Sequence, residues 1–353
     1  MKKTLLLVAA AVALVACSNE ETVHQSAPEA IGFDNAFVEN STRSVNDPSL
    51  TATTLTDFTV YGYVENAVLF PGTVVNKTIS NTNLSSLWKY EGTQYWVAGA
   101  KYNFAAIAPN KGWSNVTTAV AGDKASISTN FAFVNDGKTD LLYDEVEDIV
   151  GLVEQNDAVG FDFRHILSKV KFSFLNGYNV ESAKIDVTNV KIENAYANAN
   201  VALTNAATTW SGWTNDTLKL DFGFASDHEK TTDVKESAAV TYAFGETYES
   251  LNELFLIPGA APSVTYKDNN GADVTKNAYK VSFDVNLYIN NTKVNSEAYH
   301  HVAYVELVPK AGFAYDIKAE INATNIDPEH AQEPIEFTVN ALPGWGTTND
   351  QNI

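Results

Sequence analysis

The chain has 353 residues, of which 43 are acidic and 23 basic, and its formal net charge is −20. Nucleic acid is not expected as a partner, because a phosphate-binding surface needs clustered basic residues and arginine occurs only at Arg43 and Arg164. Hydrophobic residues make up 45% of the chain, which is enough for at least one sizeable core. Cys17 is the only cysteine, which excludes an intramolecular disulfide and a cysteine-ligated metal cluster.

The N-terminal residues have the pattern of a secretory signal. Two lysines precede an apolar run over residues 5–15, which is too short to cross about 30 Å of hydrocarbon. The end of this run, Leu14-Val15-Ala16-Cys17, resembles the lipobox of bacterial lipoproteins. The resemblance implies cleavage between Ala16 and Cys17, acylation of Cys17, and a lipid anchor in the outer membrane at the cell surface. We therefore expect a signal peptide over residues 1–16 and a flexible tether over residues 17–30.

The following residues predict β-strands. Apolar and polar residues alternate, first around Phe58 and over residues 102–107, then more regularly in runs such as residues 170–174. Leu254-Phe255-Leu256-Ile257 is continuously apolar, which predicts a strand buried on both faces. Strand-like runs at residues 264–266 and 281–289 flank Asn269-Asn270-Gly271, a favoured hairpin turn. Many short strands separated by Gly, Asn and Pro indicate an all-β protein built of antiparallel β-sandwiches.

The strand-rich regions fall into two halves. The acidic stretch over residues 135–157 separates them, and we interpret it as a loop. One sandwich takes about 100 residues, so the length predicts two. We place an N-terminal domain at residues 31–157 and a C-terminal domain at residues 158–353.

No catalytic constellation can be assigned. The sequence lacks the GxSxG, GxxxxGK[ST] and HExxH patterns. The adjacent His300 and His301 would point to opposite faces of a strand and so cannot chelate one metal together. The carboxylates of residues 140–148 could hold calcium but lack the spacing of a dedicated loop, and a solvated acidic loop is the favoured interpretation. We expect no enzyme activity, no cofactor and no metal.

One aromatic pair is suited to stacking on sugar rings. Trp210-Ser211-Gly212-Trp213 lies in a stretch that we interpret as a loop. Packing inside the protein is the favoured interpretation of these tryptophans. The pair nevertheless keeps open a second hypothesis, a surface-exposed glycan-binding lipoprotein.

Several motifs stand in a characteristic order along the chain. They are Ile31-Gly32-Phe33, Ser41-Thr42-Arg43-Ser44, the run over residues 102–109, Asp140-Leu141-Leu142, the run over residues 161–170, the run over residues 310–317 and Gly344-Trp345-Gly346. Together they resemble the fimbrillin family (Mfa-like, type V pilin) of Gram-negative anaerobes. The resemblance implies two tandem transthyretin-like β-sandwich domains. It also implies that an Arg-specific or trypsin-like protease removes an N-terminal strand, and that a strand of the next subunit fills the groove and polymerises the fimbrium.

The N-terminal residues suit this scheme. Ile31, Phe33 and Phe37 are predicted to share one face of the exchanged strand and to sit in a groove of the sheet. Cleavage would fall between Arg43 and Ser44, in a polar segment that a protease can reach, although Arg43 can also be read as a plain linker residue. Arg164 lies within a strand pattern and should be protected.

The C-terminal region supplies a candidate donor strand. Ile335, Phe337 and Val339 alternate with polar residues, but the tail after Trp345 is short and polar, so shaft, tip and anchor roles all stay open. The favoured hypothesis is a structural subunit of a cell-surface fimbrium. Its expected partners are other fimbrial subunits, the outer membrane through the N-terminal lipid, and host or bacterial surface ligands for adhesion. An enzyme is a third hypothesis, with no residues to assign.

Overall fold

A computed structural model describes residues 28–38, 55–77, 88–121, 126–153, 156–178, 180, 182–204, 207–223, 240–242, 247–249, 252–267, 271–329 and 334–343. All regular secondary structure in these ranges is β-strand, which confirms the all-β prediction. The described part of the chain contains no helix with the length and apolar character of a membrane span.

The first twelve strands precede Ala207. They are β1 Phe33–Val38, β2 Asp57–Val64, β3 Ala67–Lys77, β4 Trp88–Tyr90, β5 Lys101–Ala108, β6 Trp113–Ala121, β7 Ser126–Val134, β8 Leu142–Val150, β9 Val159–His165, β10 Ser168–Asn176, β11 Ala183–Ala195 and β12 Asn198–Thr204. The later strands are β13 Ala207–Thr214, β14 Leu218–Asp221, β15 Val240–Tyr242, β16 Thr247–Glu249, β17 Leu254–Leu256, β18 Ser263–Lys267, β19 Asp273–Asn277, β20 Tyr279–Ile289, β21 Thr292–Lys293, β22 Tyr299–Val305, β23 Phe313–Ile321 and β24 Phe337–Pro343.

The strands form four larger sheets and one hairpin. A seven-stranded sheet has the order β1-β9-β8-β5-β2-β3-β4, and a four-stranded sheet has the order β13-β12-β7-β6. A five-stranded sheet runs β16-β10-β23-β24 with β17 also on β10, and a six-stranded sheet runs β14-β11-β20-β21 with β15 and β22 on its inner strands. Strands β18 and β19 pair with each other.

Three apolar clusters fill the spaces between these sheets. One contains side chains from all seven strands of the largest sheet, including both of its edges, so this sheet curves around its own core. A second lies between the opposite face of that sheet and the four-stranded sheet. The third joins the five- and six-stranded sheets. Burial of alternating apolar residues thus drives each layer together.

Strand pairing crosses the boundary that we predicted near Asp157. Strand β9 hydrogen-bonds to β1 in parallel and to β8 in antiparallel orientation. Strand β12 pairs with β7 on one side and with β13 on the other. Residues 159–165, 198–204 and 207–214 therefore belong to the same sheets as strands from the first half of the chain, because long-range pairing does not follow the local change in composition.

Three local predictions are wrong. The acidic stretch before Asp157 is not a loop, since residues 142–150 form β8 and pair with β5. Trp210 and Trp213 lie in strand β13 rather than in a loop. The hairpin around Gly271 exists, but the partner of β18 is β19 at residues 273–277, not the run at residues 281–289. The continuous run Leu254–Ile257 is buried on both faces as predicted.

Candidate functional site: the N-terminal strand and its seam

The N-terminal segment over residues 28–38 includes edge strand β1 of the seven-stranded sheet and lies between β9 and residues 94–96, in a position that we call the seam. On one side the Ile31 N–H donates to the Gln94 carbonyl at 2.8 Å and the Trp96 N–H donates to the Glu29 carbonyl at 2.9 Å. On the other side the Val159 N–H donates to the Gly32 carbonyl at 2.8 Å, where β1 begins its parallel pairing with β9. The segment thus joins β9 to the residues that follow β4, the opposite edge strand of the curved sheet.

Two side chains of this segment enter the apolar core. Ile31 and Phe33 are each only 1% exposed. The Phe33 ring lies 5.5–6.2 Å from the centroids of five other rings, which belong to Phe58, Phe70, Tyr90, Phe104 and Phe161. These distances are typical of favourable aromatic pairs, so Phe33 is the centre of the aromatic cluster.

Phe37 lies beyond a register shift that separates it from Ile31 and Phe33. The backbone register shifts between Asp34 and Phe37, so Phe33 is paired with Val159 whereas Phe37 is paired with Asp162. The Phe37 side chain lies outside the described part of the structure. Its place on the same face as Phe33 therefore stays a prediction.

Polar contacts hold the start of the segment. The Tyr90 hydroxyl donates to the Ile31 carbonyl at 2.8 Å and accepts from the Gln94 N–H at 3.2 Å. Glu29 Oε2 accepts from the Asn156 backbone N–H at 2.7 Å and from its Nδ2 at 3.0 Å. These hydrogen bonds from Asn156 lower the pKa of Glu29, because they favour the charged carboxylate.

Gly62 lies beside the Phe33 cluster and was not among the residues predicted from the sequence. A Cβ at this position would lie 2.7 Å from a ring carbon of Phe70 and 2.8 Å from one of Phe104. The absence of a side chain therefore lets two rings of the Phe33 cluster cross the middle of β2. A glycine inside an otherwise apolar strand, Tyr61-Gly62-Tyr63, is the signal that could have indicated this close approach.

The residues predicted for processing lie outside the described residues. Ala16, Cys17, Arg43 and Ser44 are all in this group. Arg164 is placed within β9, where its Nη2 donates to the Thr204 carbonyl at 2.8 Å and its guanidinium lies 5.0 Å from the Tyr143 ring centroid. Arg164 is thus held by the sheet, as its strand pattern predicted.

The candidate donor residues lie on β24, an edge strand of the five-stranded sheet, and on its approach. Phe337 and Val339 belong to β24, which pairs antiparallel with β23. They and Ile335 are half-buried against the third cluster. The Phe337 ring lies 5.9–6.1 Å from those of Phe172, Phe174 and Phe283.

The two tryptophans proposed for sugar stacking are engaged in packing. Trp210 is 8% exposed, and its indole N–H donates to the Ile166 carbonyl at 3.2 Å. The Trp213 indole N–H donates to the Pro258 carbonyl at 2.9 Å, and its ring covers Gly259 so closely that a Cβ there would lie 2.4 Å away. These contacts favour the interior role over the glycan role.

The carboxylates of residues 144–148 belong to strand β8 rather than to a solvated loop, and Asp140 is buried just before that strand. Glu145 is buried, and its Oε2 accepts from the Tyr143 hydroxyl at 2.6 Å. Burial raises the pKa of Glu145 to about 7 and that of Asp144 to about 6. Among the described residues no three His, Cys, Asp or Glu side chains are grouped so as to hold a metal ion.

Motifs that are distant in the sequence meet at one junction. Asp140 Oδ2 lies 2.5 Å from His165 Nδ1, and the Ile166 N–H donates to the Leu141 carbonyl at 3.0 Å. The Ser168 hydroxyl donates to the Lys310 carbonyl at 2.7 Å. The motifs around residues 140, 165 and 310 therefore have a structural role in joining β8, β9, β10 and the approach to β23.

Comparison with known proteins agrees with this architecture. A sequence profile described as fimbrillin-like matches residues 42–340, whereas no curated protein matches. A fimbrial protein from Bacteroides vulgatus ATCC 8482 is similar in fold, with a TM-score of 0.55, 16% identity, and coverage of 89% of this chain and 99% of that one. A candidate cell adhesion protein from Bacteroides uniformis ATCC 8492 has a TM-score of 0.46 at 14% identity, covering 90% of this chain and 98% of that one. Since the profile spans most of the sequence, the chain belongs to the fimbrillin-like family.

Proposed function

We propose that the protein is a structural subunit of a cell-surface fimbrium that assembles by exchange of the segment at residues 28–38. The family membership supports a structural rather than a catalytic role. The fimbrial name of the similar Bacteroides vulgatus structure supports placement at the cell surface and a part in adhesion. Shaft, tip and anchor positions are all compatible with this proposal.

The burial of Ile31 and Phe33 in the seam is the observation that carries the proposal. Loss of the segment would uncover the aromatic rings around Phe33. It would also free the backbone groups of residues 94–96 and of β9 that now bond to it. Unpaired strand edges beside an apolar groove are satisfied by a strand from another chain. A neighbouring subunit can therefore replace the segment with a similar set of contacts.

Cleavage between Arg43 and Ser44 would permit this exchange. The whole of residues 28–38 precedes Arg43, so one cut leaves the segment held only by non-covalent contacts. Arg164 is engaged by Thr204 and Tyr143, which supports a single accessible arginine in the folded precursor. In the precursor, the lipid on Cys17 would anchor the protein to the outer membrane.

A strand around Ile335, Phe337 and Val339 is the proposed donor. It alternates apolar and polar residues as the segment at residues 31–33 does, and β24 pairs along one side with β23. An edge strand can leave its sheet at a lower cost than a central strand, because it breaks one ladder of hydrogen bonds rather than two. Release of β24 would expose the rings of Phe172, Phe174 and Phe283, which now pack against Phe337. Because this exposure is unfavourable, we expect β24 to leave its sheet only when the seam of a neighbouring subunit can receive it.

Limited proteolysis tests the proposal. An Arg-specific protease should cut folded precursor once, after Arg43, and the cut protein should then form oligomers that grow with time and concentration. Arg43→Ala should stay uncut and monomeric under the same conditions. A cut protein that stays monomeric at high concentration would argue against polymerisation of this chain.

A further inference from the structure

A cleft of about 840 Å³ lies beside strand β22 of the six-stranded sheet, away from the seam. Edge strand β22, the β18–β19 hairpin and the start of β24 surround it. Its volume is within the range of about 300–1,000 Å³ that is usual for sites that bind small molecules. The cleft is thus a concave surface outside the seam, and it shares Ile335, Phe337 and Val339 with the proposed donor strand.

Two tyrosines form a stacked pair in the wall of the cleft. The rings of Tyr266 and Tyr304 are parallel to within 10°, and their centroids are 4.0 Å apart. Tyr266 belongs to the hairpin and Tyr304 to β22, so the stack also fixes the hairpin against the sheet. Both side chains are half-buried, and both line the cleft.

The charged groups of the cleft balance one another. Two lysines and two glutamates line it, namely Lys267, Lys276, Glu306 and Glu336. Lys276 is ion-paired with Glu306, and Lys267 is ion-paired with Asp273 at 2.8 Å. A phosphate or a metal ion would require an excess of one sign, so the lining favours a ligand without net charge.

The floor combines apolar side chains with hydrogen-bonding groups. Val305 is buried, and Ile335 and Phe337 are half-buried. His301, also in the floor, is held by the Ile326 carbonyl 2.9 Å from its Nε2, and burial lowers its pKa. Strand β22 pairs with β20 along one edge, so its other edge can offer backbone N–H and C=O groups to a ligand.

We propose that this cleft binds a neutral oligosaccharide. The apolar C–H face of a sugar ring would lie against the outer face of the tyrosine stack, and its hydroxyl groups would bond to Lys276, Glu306 and the outer edge of β22. An uncharged ring with an apolar face and a polar rim matches the aromatic wall and the paired charges together. The inference deepens the proposed adhesive role by naming a ligand class, and it requires no strand exchange.

A glycan array probed with uncut, monomeric protein tests this inference. The array holds neutral oligosaccharides together with sialylated and sulfated ones, and hits are measured again by isothermal titration. We expect binding to at least one neutral oligosaccharide, weakened at least tenfold in Tyr304→Ala and Tyr266→Ala. Tyr304→Phe keeps the ring and should retain binding. Tyr95→Ala, an exposed tyrosine at the seam, is the matched control and should bind as the unaltered protein does.

The other outcomes overturn the inference. Absence of any neutral ligand, or binding restricted to sialylated and sulfated glycans, would contradict the assignment of the cleft. Equal binding by Tyr304→Ala, Tyr266→Ala and Tyr95→Ala would place the glycan site elsewhere. Circular dichroism and thermal melting confirm that each variant is folded. Failure of strand exchange leaves these results unchanged, because the protein is neither cut nor assembled.

Discussion

Phe33 belongs to the sequence motif Ile31-Gly32-Phe33, and its ring packs in the core of the seven-stranded sheet. Its ring contacts rings from β2, β3, β4, β5 and β9. A side chain that packs against five strands contributes to the stability of all five. Its removal leaves a cavity that the surrounding strands can fill only in part.

We predict that Phe33→Ala lowers the free energy of unfolding of the precursor by about 3–5 kcal/mol, the range for truncation of a buried aromatic side chain. Tyr95→Ala is the control, because Tyr95 bridges the same segment through its backbone while its side chain is 48% exposed. Guanidinium unfolding of both variants measures the difference. Equal losses would show that Phe33 has no special place in the core.

Glu145 predicts a pH dependence of stability. Its carboxyl has a pKa raised from 4.5 to about 7, with burial as the main cause. Between these pH values the folded chain holds a proton that the unfolded chain has lost. The free energy of unfolding should therefore fall as the pH rises from about 4.5 to about 7 and then level off for this group.

Glu145→Gln should remove this contribution and flatten the profile of stability against pH. Glutamine can still accept the hydrogen bond from Tyr143. Glu91→Gln is the control, since Glu91 is exposed. Unfolding curves measured from pH 4.5 to 8.5 compare the slopes, and an unchanged slope in Glu145→Gln would contradict the account.

At the scale of elements, β1 differs from the strands around it. It is an edge strand with a register shift near its middle, and a polar clasp between Glu29 and Asn156 secures the residues before it. An element held at its start and by two buried side chains can be firmly bound and still be released as one piece. These properties suit a strand that must stay in place until the chain is cut.

We predict that Glu29→Ala speeds the release of the N-terminal fragment after cleavage at Arg43, because both hydrogen bonds from Asn156 are lost. Glu65→Ala is the matched control, since Glu65 accepts a hydrogen bond from the Lys101 N–H at 2.9 Å without contacting the segment. Size-exclusion chromatography coupled to mass spectrometry follows the fragment over time. The same release rate in both variants would show that the hydrogen bonds between Glu29 and Asn156 do not control release of the segment.

At the scale of the whole molecule, the sequence predicts the strands better than their partners. Alternation identified Val170, Phe172 and Phe174, which are all buried, and the apolar run at residues 254–257. Ile31 and Phe33 could also be assigned to a groove from their family motif and their spacing, and both are in the core. These predictions succeed because burial of one face of a strand produces an alternation of apolar and polar residues that is visible in the sequence.

The other features depend on contacts between distant residues. The run Leu142–Val150 forms one strand that carries acidic residues at both buried and exposed positions. Its acidic composition therefore resembles that of a loop. The pairing of β1 with β9 and of β12 with β7 has no local signal. The register shift after Asp34 likewise depends on the partner strand, which is why the shared face of Phe37 was not settled by alternation.

The central claim is that the segment must leave the seam before subunits join, and a reversible crosslink tests it most directly. Ala30 and Tyr95 form an antiparallel bridge flanked by the hydrogen bonds of Ile31 and Trp96, so they are a non-hydrogen-bonded pair with the close Cα spacing that a disulfide needs. Ala30→Cys with Tyr95→Cys, in a Cys17→Ser background, would lock the segment.

Light scattering of this variant after cleavage at Arg43, with and without reductant, gives the measurement. The account predicts that the oxidised protein stays monomeric and that the same sample polymerises once the disulfide is reduced. Polymerisation at the same rate in the oxidised form would contradict the account, because subunits would then join while the segment still fills the seam.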